Sequence, residues 1–92
     1  MMDLEKLREA IRKTDREIMS LMKRRLELAK QVGEYKIHNN EDIRNLEVEE
    51  RVAESYRDFA SENGMDPEYA DAICRILMRE SVEIQEAMRH SR

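Results

Sequence analysis

Apolar residues recur along the opening stretch at alternating three- and four-residue steps, through Leu4, Leu7, Ile11, Thr14, Ile18, Leu21, Arg25, Leu28, Val32 and Tyr35. That alternation keeps one narrow seam on one side of an α-helix, apolar except at Thr14 and Arg25. Between seam positions lie mostly good helix formers, no Pro interrupts, and the one Gly, Gly33, stands near the end. The pattern predicts an unbroken helix from Asp3 to about Lys36. At about 1.5 Å per residue such a helix runs roughly 50 Å, whereas a compact domain of this length has a radius of gyration of about 12 Å. It must overhang its own domain. The nearest available cover for an overhanging apolar seam is the same helix of a second copy across a two-fold axis, so an intertwined homodimer is expected.

Helical periodicity lapses over Ile37-His38-Asn39-Asn40-Glu41-Asp42, where two adjacent Asn favour a turn, and a loop is predicted there. A second helix is predicted from about Ile43 to Glu62, with Val48, Val52, Tyr56, Phe59 and Ala60 as its stripe and Asn63-Gly64 as its stop. Asp66-Pro67 then provides an N-cap and a first-turn Pro. The third helix runs to about Arg89 and packs Ala70, Ile73, Cys74, Leu77, Ile84 and Met88. The reading is all-α, with one long and two shorter helices in one domain over residues 1–92. The seven Met are read as core filler.

Composition narrows the function. With 40% hydrophobic, 41% charged and 4% aromatic residues the chain suits helices with a heavily solvated outer face. A formal charge of −4 argues against nucleic acid as a partner, so any anion site must be a local cluster. The lone Cys74 can form neither an intrachain disulfide nor a multi-thiolate metal site, which fits a reducing cytoplasm. No stretch resembles a signal peptide or a membrane span. No Ser-His-Asp set, metal-ligand spacing or Gly-rich phosphate loop appears, and His38 and His90 are read as solvated. Any enzymatic chemistry must then rest on binding and electrostatics, without a cofactor.

Polar residues set into apolar stripes mark the candidate site. Arg25 sits on the seam, and Lys36, eleven residues on, is three turns and only about 20° of rotation away, so both cations point to one side. Two readings stand open: a polar residue that fixes register or pairs with an acid such as Glu49, or an anion pocket. Asn45 with Glu49 and Ser81 with Gln85 are pairs one turn apart that would add hydrogen-bonding groups and one acid around the cations. Arg8, taken alone, reads as a solvated residue able to pair with Glu5.

These residues also carry a resemblance. Leu7-Arg8-Glu9, Ile11 and Asp15, then Arg24-Arg25-Leu26-Glu27-Leu28-Ala29, Val32-Gly33 and Lys36, then Glu49, and finally Glu80-Ser81-Val82 with Gln85 resemble, in order and spacing, the all-helical chorismate mutases. The resemblance covers essentially the whole chain. It implies an intertwined three-helix homodimer that converts chorismate to prephenate in aromatic amino acid biosynthesis without a cofactor, and the short length of the chain leads us to expect a free-standing enzyme.

By the same resemblance, Arg25 and the partner's Arg8 would hold the two substrate carboxylates. Lys36 would reach a carboxylate and the ether oxygen, Gln85 the same oxygen from the other side, and Glu49 the ring hydroxyl. Ser81 would assist carboxylate binding, and Asn45 would join the substrate-binding set. Val32, Val52, Met78 and Val82 would form apolar walls. Two positions depart from the family pattern: Val48 stands where an Arg is usual and Asn45 where an acid is common, with Arg44 as a substitute cation. An isochorismate pyruvate lyase resembles the same scaffold, with Lys36 and Glu49 favouring the mutase. A purely structural dimerisation module would leave Arg25, Lys36, Ser81 and Gln85 unexplained.

Overall fold

The computed structural model describes residues 3–91. Its elements are α1 (Leu4–His38), α2 (Leu46–Glu62) and α3 (Pro67–His90). Each start is capped by its own side chain: Asp3 accepts from Lys6 N, Asn45 from Val48 N and Asp66 from Glu68 N. Pro67 occupies the first turn of α3, as the sequence predicts.

Two boundaries differ from the pattern-based reading. α1 continues through Ile37 and His38, because the turn is made one step later: Asn40 takes the left-handed conformation at φ 55° and Glu41 N–H returns to Lys36 O at 2.8 Å. His38, still exposed, therefore lies in a helix and not in a loop. α2 begins at Leu46 instead of Ile43, since Asn45 takes the capping position and Ile43 turns inward, 4% exposed. At the far end of α2, Gly64 at φ 68° lets Met65 N–H reach Ala60 O at 2.8 Å.

α3 is the central element. Both α1 and α2 pack on it, and α1 and α2 do not pack on each other. The core is small: Ala53, Cys74 and Met78 are buried, with Val52 and Tyr56 packed against them. A ring of alternating charge also ties α2 to α3. Arg57 meets Asp71 at 2.6 Å and Glu50 at 3.0 Å, and Arg75 meets Glu50 at 3.0 Å and Asp71 at 3.3 Å.

The overhang is present. The radius of gyration is 16.6 Å and the longest dimension 56 Å, against about 12 Å for a compact chain of this length. Every α1 residue from Leu4 to Arg24 is exposed in the single chain, including the seam residues Leu4, Leu7, Ile11, Ile18 and Leu21. Ile73 and Phe59, expected to pack within the chain, also face outward beside Met65, Tyr69 and Ile76. The reading of Met as core filler holds for Met78, which is buried, and in part for Met88. Met19, Met22 and Met65 are exposed, and Met1 and Met2 lie outside the described residues. Stripe spacing gives the apolar face of a helix but not what covers it.

Candidate active site

Between the C-terminal part of α1, the start of α2 and the second half of α3 lies a cavity of about 310 Å³. That volume is near the lower end of the range of about 300–1,000 Å³ usual for small-molecule sites. Into it open Arg25, Val32, Lys36, Asn45, Glu49, Val52, Met78, Ser81, Val82 and Gln85, the whole set singled out from the sequence apart from Arg8. A second hollow of about 430 Å³, at the α2–α3 turn, is lined by Phe59, Met65, Ile73 and other largely apolar residues. It carries no charged group, so the chemistry belongs to the first cavity.

Each cation there is anchored by protein oxygen. Arg25 Nη1 donates to Ser81 Oγ at 2.7 Å and to Leu77 O at 3.2 Å, while the Ser81 hydroxyl donates to Leu77 O at 3.0 Å. A guanidinium carries five N–H donors in a fixed fork, so this pairing leaves Nε and Nη2 to meet an anion. Arg25 thus makes no pair with Glu49. Lys36, half-buried in the last turn of α1, donates from Nζ to Ile43 O at 2.6 Å. The inward turn of Ile43 that delays α2 is therefore also what places an acceptor on the lysine.

Gln85, 5% exposed, donates from Nε2 to Ala29 O on α1 at 2.7 Å. One hydrogen of its amide is committed and the other is not. The close approach of α3 to α1 that makes this bond depends on Gly33. A Cβ at Gly33 would lie 2.9 Å from Gln85 Cγ and 3.3 Å from Met88 Sδ. Gly33→Ala sets a helix-propensity gain of about 1 kcal/mol against an overpacking cost of about 1–3 kcal/mol in a contact with little room to move. The expected outcome is net destabilisation of roughly 1 kcal/mol together with a displaced Gln85. Urea unfolding checks it, and a variant as stable as the parent would show that the two helices separate freely.

Glu49 is held by Arg44, whose Nη2 donates to Oε1 at 2.8 Å and Nε to Oε2 at 3.2 Å. The hydrogen bond from Arg44 draws the Glu49 carboxyl below its ordinary value, and burial opposes this only in part. Asn45, the N-cap one turn before Glu49, accepts from Glu49 N at its carbonyl at 3.0 Å while its side-chain oxygen is committed to Val48 N, and it lines the cavity. Arg8 stands apart, exposed on the overhanging part of α1 and 3.8 Å from Glu5. Within the chain it has the solvated character that it shows in isolation.

Sequence reasoning passed over Ile43, Ala29 and Leu77, because they act through backbone carbonyls that side-chain patterns do not display. Gly33 was legible in principle: a Gly inside a run of strong helix formers signals close approach.

An all-helical chain with two anchored cations, a carboxylate and an amide around one small cavity is a binder or enzyme for a small anion. A family model for chorismate mutase type II matches residues 7–86, and the chain belongs to that family. It is 29% identical over 86 residues, 94% of its length, to a bifunctional chorismate mutase/prephenate dehydratase of Buchnera aphidicola subsp. Schizaphis graminum (strain Sg). The chain spans about a fifth of the length of that relative, 22%.

Proposed function

We propose that this chain catalyses the rearrangement of chorismate to prephenate, and that it does so as a homodimer whose two sites are each built from both copies. The reaction is unimolecular. A catalyst must hold a flexible dianion in its compact reactive conformer and stabilise the negative charge that grows on the oxygen of the breaking C–O bond. In this reading Arg25, braced by Ser81, and the partner subunit's Arg8 grip the two carboxylates. Lys36 and Gln85 meet the ether oxygen from opposite sides, and Glu49 accepts from the ring hydroxyl, with Asn45 at the rim. Val32, Val52, Met78 and Val82 supply apolar walls that exclude water. The electrons move within the substrate, so the reaction itself requires no cofactor. The observation that carries this reading is the opening of Arg25, Lys36, Glu49, Ser81 and Gln85 into one cavity of substrate size.

A second copy is argued from exposure. The seam of α1 and the outward group of Phe59, Met65, Tyr69, Ile73 and Ile76 leave large apolar side chains exposed in the single chain, as at an interface, and a two-fold pairing would cover both. No described helix is long and apolar enough to cross a membrane. The free, buried Cys74 suits the cytoplasm.

Incubating the purified chain with chorismate and following prephenate tests the activity, with isochorismate and pyruvate release assayed in parallel. Sedimentation should give twice the 11.0 kDa chain mass. A chain that forms no prephenate, or that releases pyruvate from isochorismate instead, would overturn the reading.

A further inference from the structure

Arg44 occupies an unusual place for a residue so tightly paired. It stands in the connection before α2, outside the cavity that holds Arg25, Lys36 and Gln85. It lines the two hollows that flank that cavity, one shared with Arg75, Arg79 and Met78, the other with Lys36, Asn40 and Glu41. From there it reaches Glu49 from behind with two hydrogen bonds, one to each carboxylate oxygen. The Glu49 side chain is 18% exposed and that of Arg44 57%, so the acid is the inner partner and the guanidinium the outer one. A bidentate fork fixes the plane of a carboxylate as well as its charge. Val48, the residue before Glu49, offers no such group.

We propose that Arg44 is a positioning residue: it touches no substrate, but it holds Glu49 as an oriented carboxylate whose remaining lone pairs face the cavity and accept the substrate hydroxyl. The inference rests on the proposed reading of the cavity and adds to it a residue that lies outside.

The other charges around Glu49 do not replace this pairing. Lys36 faces it from α1, but its Nζ donates to Ile43 O. Arg75 faces it from α3 and is tied to Glu50 and Asp71, and Arg79 lines the same outer hollow without meeting Glu49. Glu50, beside it on α2, is taken up by Arg57 and Arg75. Without Arg44 the burial of Glu49 would be opposed only by these more distant cations. Its carboxyl would then take up a proton at higher pH and its orientation would loosen. Because the ring hydroxyl takes no part in the bonds that break and form and gains no charge, the loss should fall on substrate binding more than on the chemical step.

The test uses the intact chain as Arg44→Gln, Arg44→Lys, Glu49→Gln and the Arg44→Gln/Glu49→Gln double variant. The Glu49 carboxyl is titrated by carbon NMR, and KM and kcat for chorismate are measured from pH 5 to pH 8. In Arg44→Gln the Glu49 titration should move to higher pH, and KM should rise by about threefold or more, more at pH 5 than at pH 8, as the carboxyl is protonated and loses its fixed orientation. kcat should stay within about threefold. Arg44→Lys should recover part of the loss, and in the Glu49→Gln background removing Arg44 should change KM less than about twofold. An unmoved Glu49 titration in a folded Arg44→Gln chain, or an equal rise in KM when Glu49 is already Gln, would overturn the proposal. If the parent chain forms no prephenate, the proposed activity fails, while the NMR titration still decides whether Arg44 governs the state of Glu49.

Discussion

Lys36→Ala is expected to lower kcat by roughly 10²-fold or more while KM changes only a few-fold. The argument begins with where charge develops. In the rearrangement the substrate carboxylates keep their charge throughout, so groups that bind them act equally on ground and transition states. The ether oxygen becomes more negative only as its bond breaks, and a cation beside it stabilises the transition state selectively. Lys36 and Gln85 are the cavity groups assigned to that oxygen, and only Lys36 carries a full charge. Its site is already shaped for an oxygen, since Nζ donates to Ile43 O at 2.6 Å in the free chain. Because that carbonyl is its hydrogen-bond partner, truncation should leave the fold intact, which circular dichroism would verify. A folded variant with normal kcat and a raised KM would show that Lys36 only binds.

The second large effect concerns Arg8 and Arg25. They are seventeen positions apart on α1, or about 25 Å along the axis, too far to grip one small dianion together. Arg8 lies on the exposed overhang and Arg25 in the cavity, so one site can use both only if Arg8 comes from the other copy. Arg8→Ala and Arg25→Ala should each be nearly inactive as homodimers. Unfolded together and refolded, they should yield mixed dimers in which one site has both arginines and the other neither. With statistical mixing and independent sites, about half the dimers are mixed and half their sites intact, so activity should return to about a quarter of the parent level. Mass spectrometry would verify the mixed species. If they form and remain inactive, the shared site is wrong and Arg8 is a solvated partner of Glu5.

How far the chain could be read in advance follows from the kind of signal. The three helices were legible because caps and breakers are written in residue identity, as Asp66-Pro67 and Asn63-Gly64 illustrate. The cavity set was legible because polar residues interrupt apolar stripes. The start of α2 was not, because Ile43 continues the helical pattern yet turns inward as a plug with Asn45 as the cap. Nor were the supports of the site: Lys36 rests on the carbonyl of Ile43, Arg25 on that of Leu77 and Gln85 on that of Ala29. Every residue has a carbonyl, so no pattern of residue types announces which one is used. Spacing allows Arg25 to pair with an acid such as Glu49, but Glu49 is held by Arg44, because the turn into α2 brings that side chain alongside the first turn of the helix.

The packing of α1 and α2 each on α3, without packing on each other, has a mechanical consequence. The three helices form an open triangle whose third side is empty, and a ligand that grips Arg25 and Lys36 on α1 and Glu49 on α2 supplies it. Bound substrate then acts as a strut. The splay between the two outer helices can change without breaking either helix or its seat on α3, so the width of the cavity is a soft coordinate. Occupancy should stiffen it, slowing amide hydrogen exchange most where α1 ends and α2 begins.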